Sequence, residues 1–218
     1  MMKNTVTTLL FWLAASPAWA MDNQLNDYFA PDVLAKVEKA YGIEARDNLL
    51  AWQRLIVEGR ALIDDKAKLE LANQYLNQIN FVSDQAHWQQ EDYWATPLEF
   101  IATSGGDCED YSVAKLETLR LMGVPSEKLR LMYVKNVADN QPHMVLTYHP
   151  RHGDIPLVLD NLDGQVRLAS ERKDLKPIIS FNDDGQWLAR VQGRGGSKLK
   201  EEGGEFWEAL MDRIQHQI

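Results

Sequence analysis

Hydrophobic spacing changes once along this chain, and that change constrains the fold more than any other feature. Up to about residue 122 apolar side chains recur every three or four positions: Val33, Leu34 and Val37 within 31–41, Leu49, Trp52, Leu55 and Ile56 within 44–58, then Leu69, Ala72, Leu76 and Ile79. Such stripes predict amphipathic helices, the third capped by Asp64 or Asp65. From residue 129 the pattern becomes short runs rich in Val, Ile, Leu and Tyr at 129–134, 143–148, 157–160, 165–168, 177–181 and 186–191. Turn material such as Asp163-Gly164 and Asp183-Asp184-Gly185 separates them. These runs predict an antiparallel sheet. Helices followed by strands indicate an α+β domain, with N-terminal helices packed on that sheet. The stretch 193–204 is loose, charged and glycine-rich, and Phe206, Leu210 and Ile214, with Trp207 and Met211 beside them, mark one face of a C-terminal helix.

Residues 1–20 read differently. Met1-Met2-Lys3, an apolar run from Val6 to Ala15, and Ser16-Pro17-Ala18-Trp19-Ala20 have the layout of a secretory signal peptide with an A-x-A cleavage site. The run is too short to span a bilayer, and no later stretch reaches the ~18 apolar residues of a membrane helix. The expected product is one domain over 21–218, soluble outside the cytoplasm without membrane insertion, which in a bacterium means the periplasm. Its formal charge is −9 for the whole chain and −10 once Lys3 is removed, which argues against nucleic acid as a partner.

An exported chain with a single cysteine cannot form an intramolecular disulfide, so Cys108 is a candidate for chemistry. It stands in Ser104-Gly105-Gly106-Asp107-Cys108-Glu109-Asp110-Tyr111, where a glycine turn runs into a helical stripe of Val113, Leu116, Leu119 and Leu121 that stops at Met122-Gly123 and Pro125. A helix N-terminus stabilises a thiolate. Cysteine catalysis also needs a base and a group that orients it. Of the five histidines, His143 opens a predicted strand after Asn140-Gln141-Pro142, and Asp160 closes the next one. In an antiparallel pair the start of one strand lies beside the end of its neighbour, so His143 and Asp160 are candidates for a hydrogen bond. Between the helices and the cysteine turn, 81–97 has no clear period and carries His87, Trp88, Tyr93 and Trp94. It is expected as a loop that packs over the core or lines a cleft. The oxyanion of an acyl intermediate would be held by the Cys108 N–H and a second donor, for which Trp94, Trp88 and Gln89 are all open.

Gly106-Asp107-Cys108-Glu109-Asp110-Tyr111, Pro142-His143-Met144-Val145-Leu146 and Val158-Leu159-Asp160-Asn161, together with Tyr93-Trp94-Ala95-Thr96-Pro97, resemble the bacterial transglutaminase-like cysteine proteinases. The resemblance implies a papain/transglutaminase-like fold with Cys108 as nucleophile, His143 as general base and acid, and Asp160 as its orienter. For the periplasmic members of biofilm-forming bacteria it further implies a large surface adhesin as substrate, cut near its N-terminus at paired alanines. It also implies sequestration of the protease by an inner-membrane cyclic di-GMP receptor, for which exposed Trp residues are the expected contacts.

Asp107 as N-cap, with Glu109 and Asp110 in the first turn, complements the helix dipole. Three negative charges beside Cys108 nevertheless disfavour its thiolate. A bound cation would cancel them, and clustered hard oxygens suit calcium, although no EF-hand loop is present. The resemblance carries Ca²⁺ onto Asp107, Glu109 and Asp110. Two rival readings follow from the same residues. Acyl transfer to an amine would make the protein a transglutaminase, and a catalytically inactive fold would make it a binding module that tolerates Cys108→Ala.

Overall fold

Gly42, at φ 95°, lets two helical stripes meet at a sharp corner, since that backbone region is open to glycine. It separates α1 (Pro31–Tyr41) from α2 (Ile43–Ala61), and α3 (Asp65–Leu76) follows. In this computed structural model the described residues are 25, 28–151, 153–182, 185–188, 198–200 and 205–216. The expected signal peptide lies outside them. Leu49, Trp52, Ile56, Leu69 and Leu76 of the stripes are fully buried. Neither aspartate caps α3 through its side chain as expected: Asp64 occupies the cap position without a side-chain bond. The Asp65 carboxylate instead accepts from Tyr148 Oη at 2.6 Å and Lys128 Nζ at 2.9 Å, tying the helix to the sheet.

The second half forms a seven-stranded antiparallel sheet among the described residues, in the order β6-β5-β4-β3-β7-β8-β9. The strands are β3 (Leu129–Asn136), β4 (Pro142–Tyr148), β5 (Leu157–Leu159), β6 (Arg167–Leu168), β7 (Leu175–Asn182), β8 (Gly185–Leu188) and β9 (Lys198–Lys200). Strand β9 falls in the stretch read as loose and pairs Lys200 with Gln186. Register sets the two faces. Leu131, Tyr133, Met144 and Leu146 turn towards the helices, whereas Met132, Val134, Val145, Val158 and Leu175 form a second, smaller cluster on the other side. Helix α6 (Cys108–Leu121) is the central helix, packed on β4 and against α2, α3 and α5 (Pro97–Thr103). Trp52 Nε1 donates to Thr118 Oγ1 at 2.8 Å in the buried α2–α6 contact. The C-terminal α7 (Glu205–His216) buries Trp207 and Leu210. The architecture is the expected α+β one.

Three small elements around the cysteine turn were not expected. Asn80–Phe81 (β1) pairs in parallel with Gly105–Gly106 (β2), and Asp84–His87 forms a one-turn helix, α4. Together they draw the aperiodic segment alongside the cysteine turn.

Candidate active site

The cysteine turn is built from both ends. Upstream, Thr96 and Glu99 form a capping box on α5, with Thr96 N donating to Glu99 Oε2 at 2.8 Å and Glu99 N to Thr96 Oγ1 at 3.2 Å. That helix ends at Ser104 in the left-handed conformation, held by Asn48 Nδ2 donating to Ser104 Oγ at 2.9 Å. Gly105 and Gly106 then run extended into the N-cap Asp107. A Cβ at Gly106 would collide with Asp110 Oδ2 and come within 2.7 Å of Phe100 Cδ2, so only glycine fits there.

Cys108 is the first residue of α6 and is half-buried. Its thiol donates to Glu109 Oε2 at 2.8 Å. Burial, then the Glu109 charge and hydrogen bond, push the thiol pKa up, against the Met144 backbone N–H that points at the sulfur. Met144 follows His143 on β4, so the strand delivers His143 to the end of the helix that carries Cys108. His143 Nε2 meets Asp160 Oδ1 at 2.8 Å, and both side chains are buried. A carboxylate only accepts, so Nε2 carries the proton and Nδ1 is the nitrogen left for substrate chemistry. Asp160 lies one residue beyond β5, with Oδ1 also accepting from Leu162 N at 3.0 Å and its carbonyl from Asn77 Nδ2 at 2.8 Å. Burial alone would raise its pKa. The His143 hydrogen bond and charge, the Leu162 amide and Arg172 together outweigh burial and hold it at about 2. Thus His143 and Asp160 are joined as expected, whereas the Cys108 thiol is engaged by Glu109 and no hydrogen bond links it to His143 among the described residues.

The carboxylates gather as expected, with one addition. Oxygens of Asp107 and Glu109 lie within 4.8 Å of each other and of the Cys108 sulfur, and oxygens of Asp84, Asp107 and Asp110 form a second such group. Asp107 is the N-cap residue and forms a capping box with Asp110, in which Asp107 N donates to Asp110 Oδ2 at 3.1 Å. Asp110 also accepts from Ala95 N at 2.7 Å through Oδ1. Asp107 Oδ1 and Asp84 Oδ1 are buried without a partner, and Asp84 is only 6% exposed. Burial, reinforced by the Glu109 charge, raises the Asp107 pKa; burial also raises Asp110 to about 8 against its two backbone donors. Orphaned carboxylate oxygens converging on one point, each destabilised as an anion, fit a hard divalent cation. Asp107 belongs to both groups, with Glu109 in one and with Asp84 and Asp110 in the other, and Asp110 also braces the turn through its two backbone hydrogen bonds. Sequence reading missed Asp84 because a lone aspartate in an aperiodic segment carries no signal; only the β1–β2 pairing brings it here.

Of the proposed oxyanion donors, Trp94 is buried between Phe181 and Tyr133. Trp88 is half-buried against His87 and Tyr93. Gln89 is exposed, with φ 58°. Trp52, Trp94 and Trp207 belong to the core because their rings fill gaps between helices and sheet. Among Trp residues with described side chains, none is the exposed contact that was expected.

The profile of the bacterial transglutaminase-like cysteine proteinases matches residues 58–190. No curated protein sequence gives a significant match. Among solved structures, calcium-bound LapG of Legionella pneumophila is 39% identical, covering 84% of this chain and 98% of that one with a TM-score of 0.71. The EGTA-treated form of the same protein is 38% identical, covering 83% and 97%, also at 0.71.

Proposed function

Because the chain belongs to the bacterial transglutaminase-like cysteine proteinases, we propose that it is a calcium-dependent periplasmic endopeptidase acting through Cys108, His143 and Asp160. The observation that carries this reading is the buried His143–Asp160 pair at 2.8 Å, one residue from the amide that touches the sole cysteine. In the proposed reaction His143 Nδ1 takes the thiol proton as Cys108 Sγ attacks the scissile carbonyl. The Cys108 N–H, at the positive end of α6, stabilises the oxyanion. His143 then passes the proton to the leaving amine, and the thioester forms. Water attacks the thioester carbonyl next, giving a proton to His143; the C–S bond breaks, the acyl product leaves as the carboxylic acid, and the Cys108 sulfur takes the proton back from His143. Asp160 holds the imidazole in the tautomer that leaves Nδ1 free.

Asp107, with Glu109 on one side and with Asp84 and Asp110 on the other, would hold calcium, as supported by the unpartnered oxygens of Asp84 and Asp107 and by the calcium-bound relative. A bound cation supplies positive charge beside a thiol that the carboxylates otherwise push towards its neutral form. Ligation would also occupy the Glu109 carboxylate that now accepts the thiol proton. The substrate we propose is a large surface adhesin cleaved near its N-terminus, releasing it from the cell under control of an inner-membrane cyclic di-GMP receptor. Family resemblance supports both partners.

Incubating the purified chain with an adhesin N-terminal fragment tests this. Cleavage is expected with calcium, and neither in a calcium-selective chelator nor with Cys108→Ala. Equal cleavage in chelator would remove calcium from the reading, and incorporation of a labelled amine without chain cleavage would replace the peptidase by a transglutaminase.

A further inference from the structure

We infer that Arg172 is a positioning residue that fixes Asp160 and tempers its charge towards His143, an inference that rests on the Cys108–His143–Asp160 reading. Arg172 lies in the turn between β6 and β7. Its Nη2 donates to Asp160 Oδ2 at 2.7 Å and to Asp174 Oδ2 at 2.7 Å, while Nε reaches Asp174 Oδ1 at 3.0 Å. The side chain is 7% exposed, Asp160 is 0% and Asp174 is 51%. One edge of a planar guanidinium is therefore gripped from the surface by Asp174, and the remaining Nη2 proton points inward to the orienter. The turn itself is anchored, with Val137 N donating to Asp174 O at 2.8 Å at the end of β3.

This does more than neutralise a buried charge. Asp160 Oδ1 is committed to His143 and Leu162, so Oδ2 decides how the carboxylate plane is set about its Cβ–Cγ bond. A second fixed donor on Oδ2 locks that plane and hence the imidazole. Geometry of this kind needs a fork, which lysine lacks. The charges facing Asp160 are His143 from β4, Arg172 from the β6–β7 turn and Lys115 from α6, while Asp163 and Asp174 face Arg172. Removing the Arg172 charge leaves the Asp160 carboxylate less compensated and favours the protonated ring.

The test compares Arg172→Gln, Arg172→Lys and Asp174→Asn. In a Cys108→Ala background, NMR titration of the His143 ring should move to higher pH with Arg172→Gln and return towards the parent with Arg172→Lys, which restores charge. With Cys108 present, Arg172→Gln should lower kcat roughly 10- to 100-fold at unchanged KM, the range for partners that orient a working side chain. Arg172→Lys should recover only part of kcat, because the fork is missing. A folded Arg172→Gln protein with parental ring titration and kcat overturns the inference. If that variant does not fold, Asp174→Asn decides: it keeps the cation but frees its anchor, so a smaller kcat loss at unchanged KM supports the role and a parental kcat overturns it. The ring titration needs no proteolysis, so a shift in a protein that cleaves nothing sinks the peptidase reading alone.

Discussion

Lys115 lies on α6 two turns beyond Cys108, 1% exposed, its Nζ 5.8 Å from the centre of the Tyr111 ring. Burial pulls its pKa down to about 7, against the pull of Asp160 in the other direction. The folded state therefore binds fewer protons than the unfolded chain, where a lysine titrates near ~10.4. The burial penalty is full below about 7 and fades as pH rises to about 10. Stability should climb across that window by at most about 1.4 kcal/mol per pH unit, and Lys115→Met should remove the climb, as urea unfolding at several pH values would show. Asp84 makes a second residue-level prediction. Asp84→Asn should weaken calcium binding roughly 10- to 100-fold by calorimetry, while Asp154→Asn, in a surface turn, leaves it unchanged. The place of Cys108 at a helix start and of His143 beside Asp160 was legible in sequence, because residue type and position at an element's end are local features. Asp84 and Arg172 were not, since an aspartate or arginine in a loop has many ordinary uses.

At the scale of elements, the junction of β2 with α6 has the least slack. Gly106→Ala would drive its Cβ onto Asp110 Oδ2 and Phe100 and displace the carboxylate that braces the turn. We expect a loss of about 1–3 kcal/mol in thermal or urea unfolding and a fall in proteolysis at least as large as the stability change explains. The helices and longer strands could be read because their apolar periods last over many residues. The pair β1–β2, two residues on each side, has no period to read, and its parallel register depends on how α3 and α5 pack. The short β9 is similar: its sequence is polar, and its pairing comes from β8 rather than from any pattern of its own.

For the molecule as a whole, the proposed cation site would join the aperiodic segment to the central helix, so its occupancy should register in global stability. Saturating calcium at about 100 times its dissociation constant should add about 2.7 kcal/mol, seen as a higher Tm that a chelator reverses. Binding should also release protons, because burial raises the Asp107 pKa and a ligand carboxylate must be ionised to bind. Affinity for calcium should therefore increase with pH, which calorimetry in buffers of different ionisation heat would detect.

The amino-acid order by itself determined the α+β class, the cysteine at a helix start, and the histidine and aspartate at strand ends, all of which follow from local period and residue chemistry. Tertiary structure alone decided that Asp84 joins Asp107, that Arg172 closes on Asp160, and that the thiol rests on Glu109. The physical reason is range. Periodicity and capping act over a few residues, whereas Asp84 with Asp107 and Arg172 with Asp160 depend on strand register and helix packing that bring distant segments within hydrogen-bonding reach.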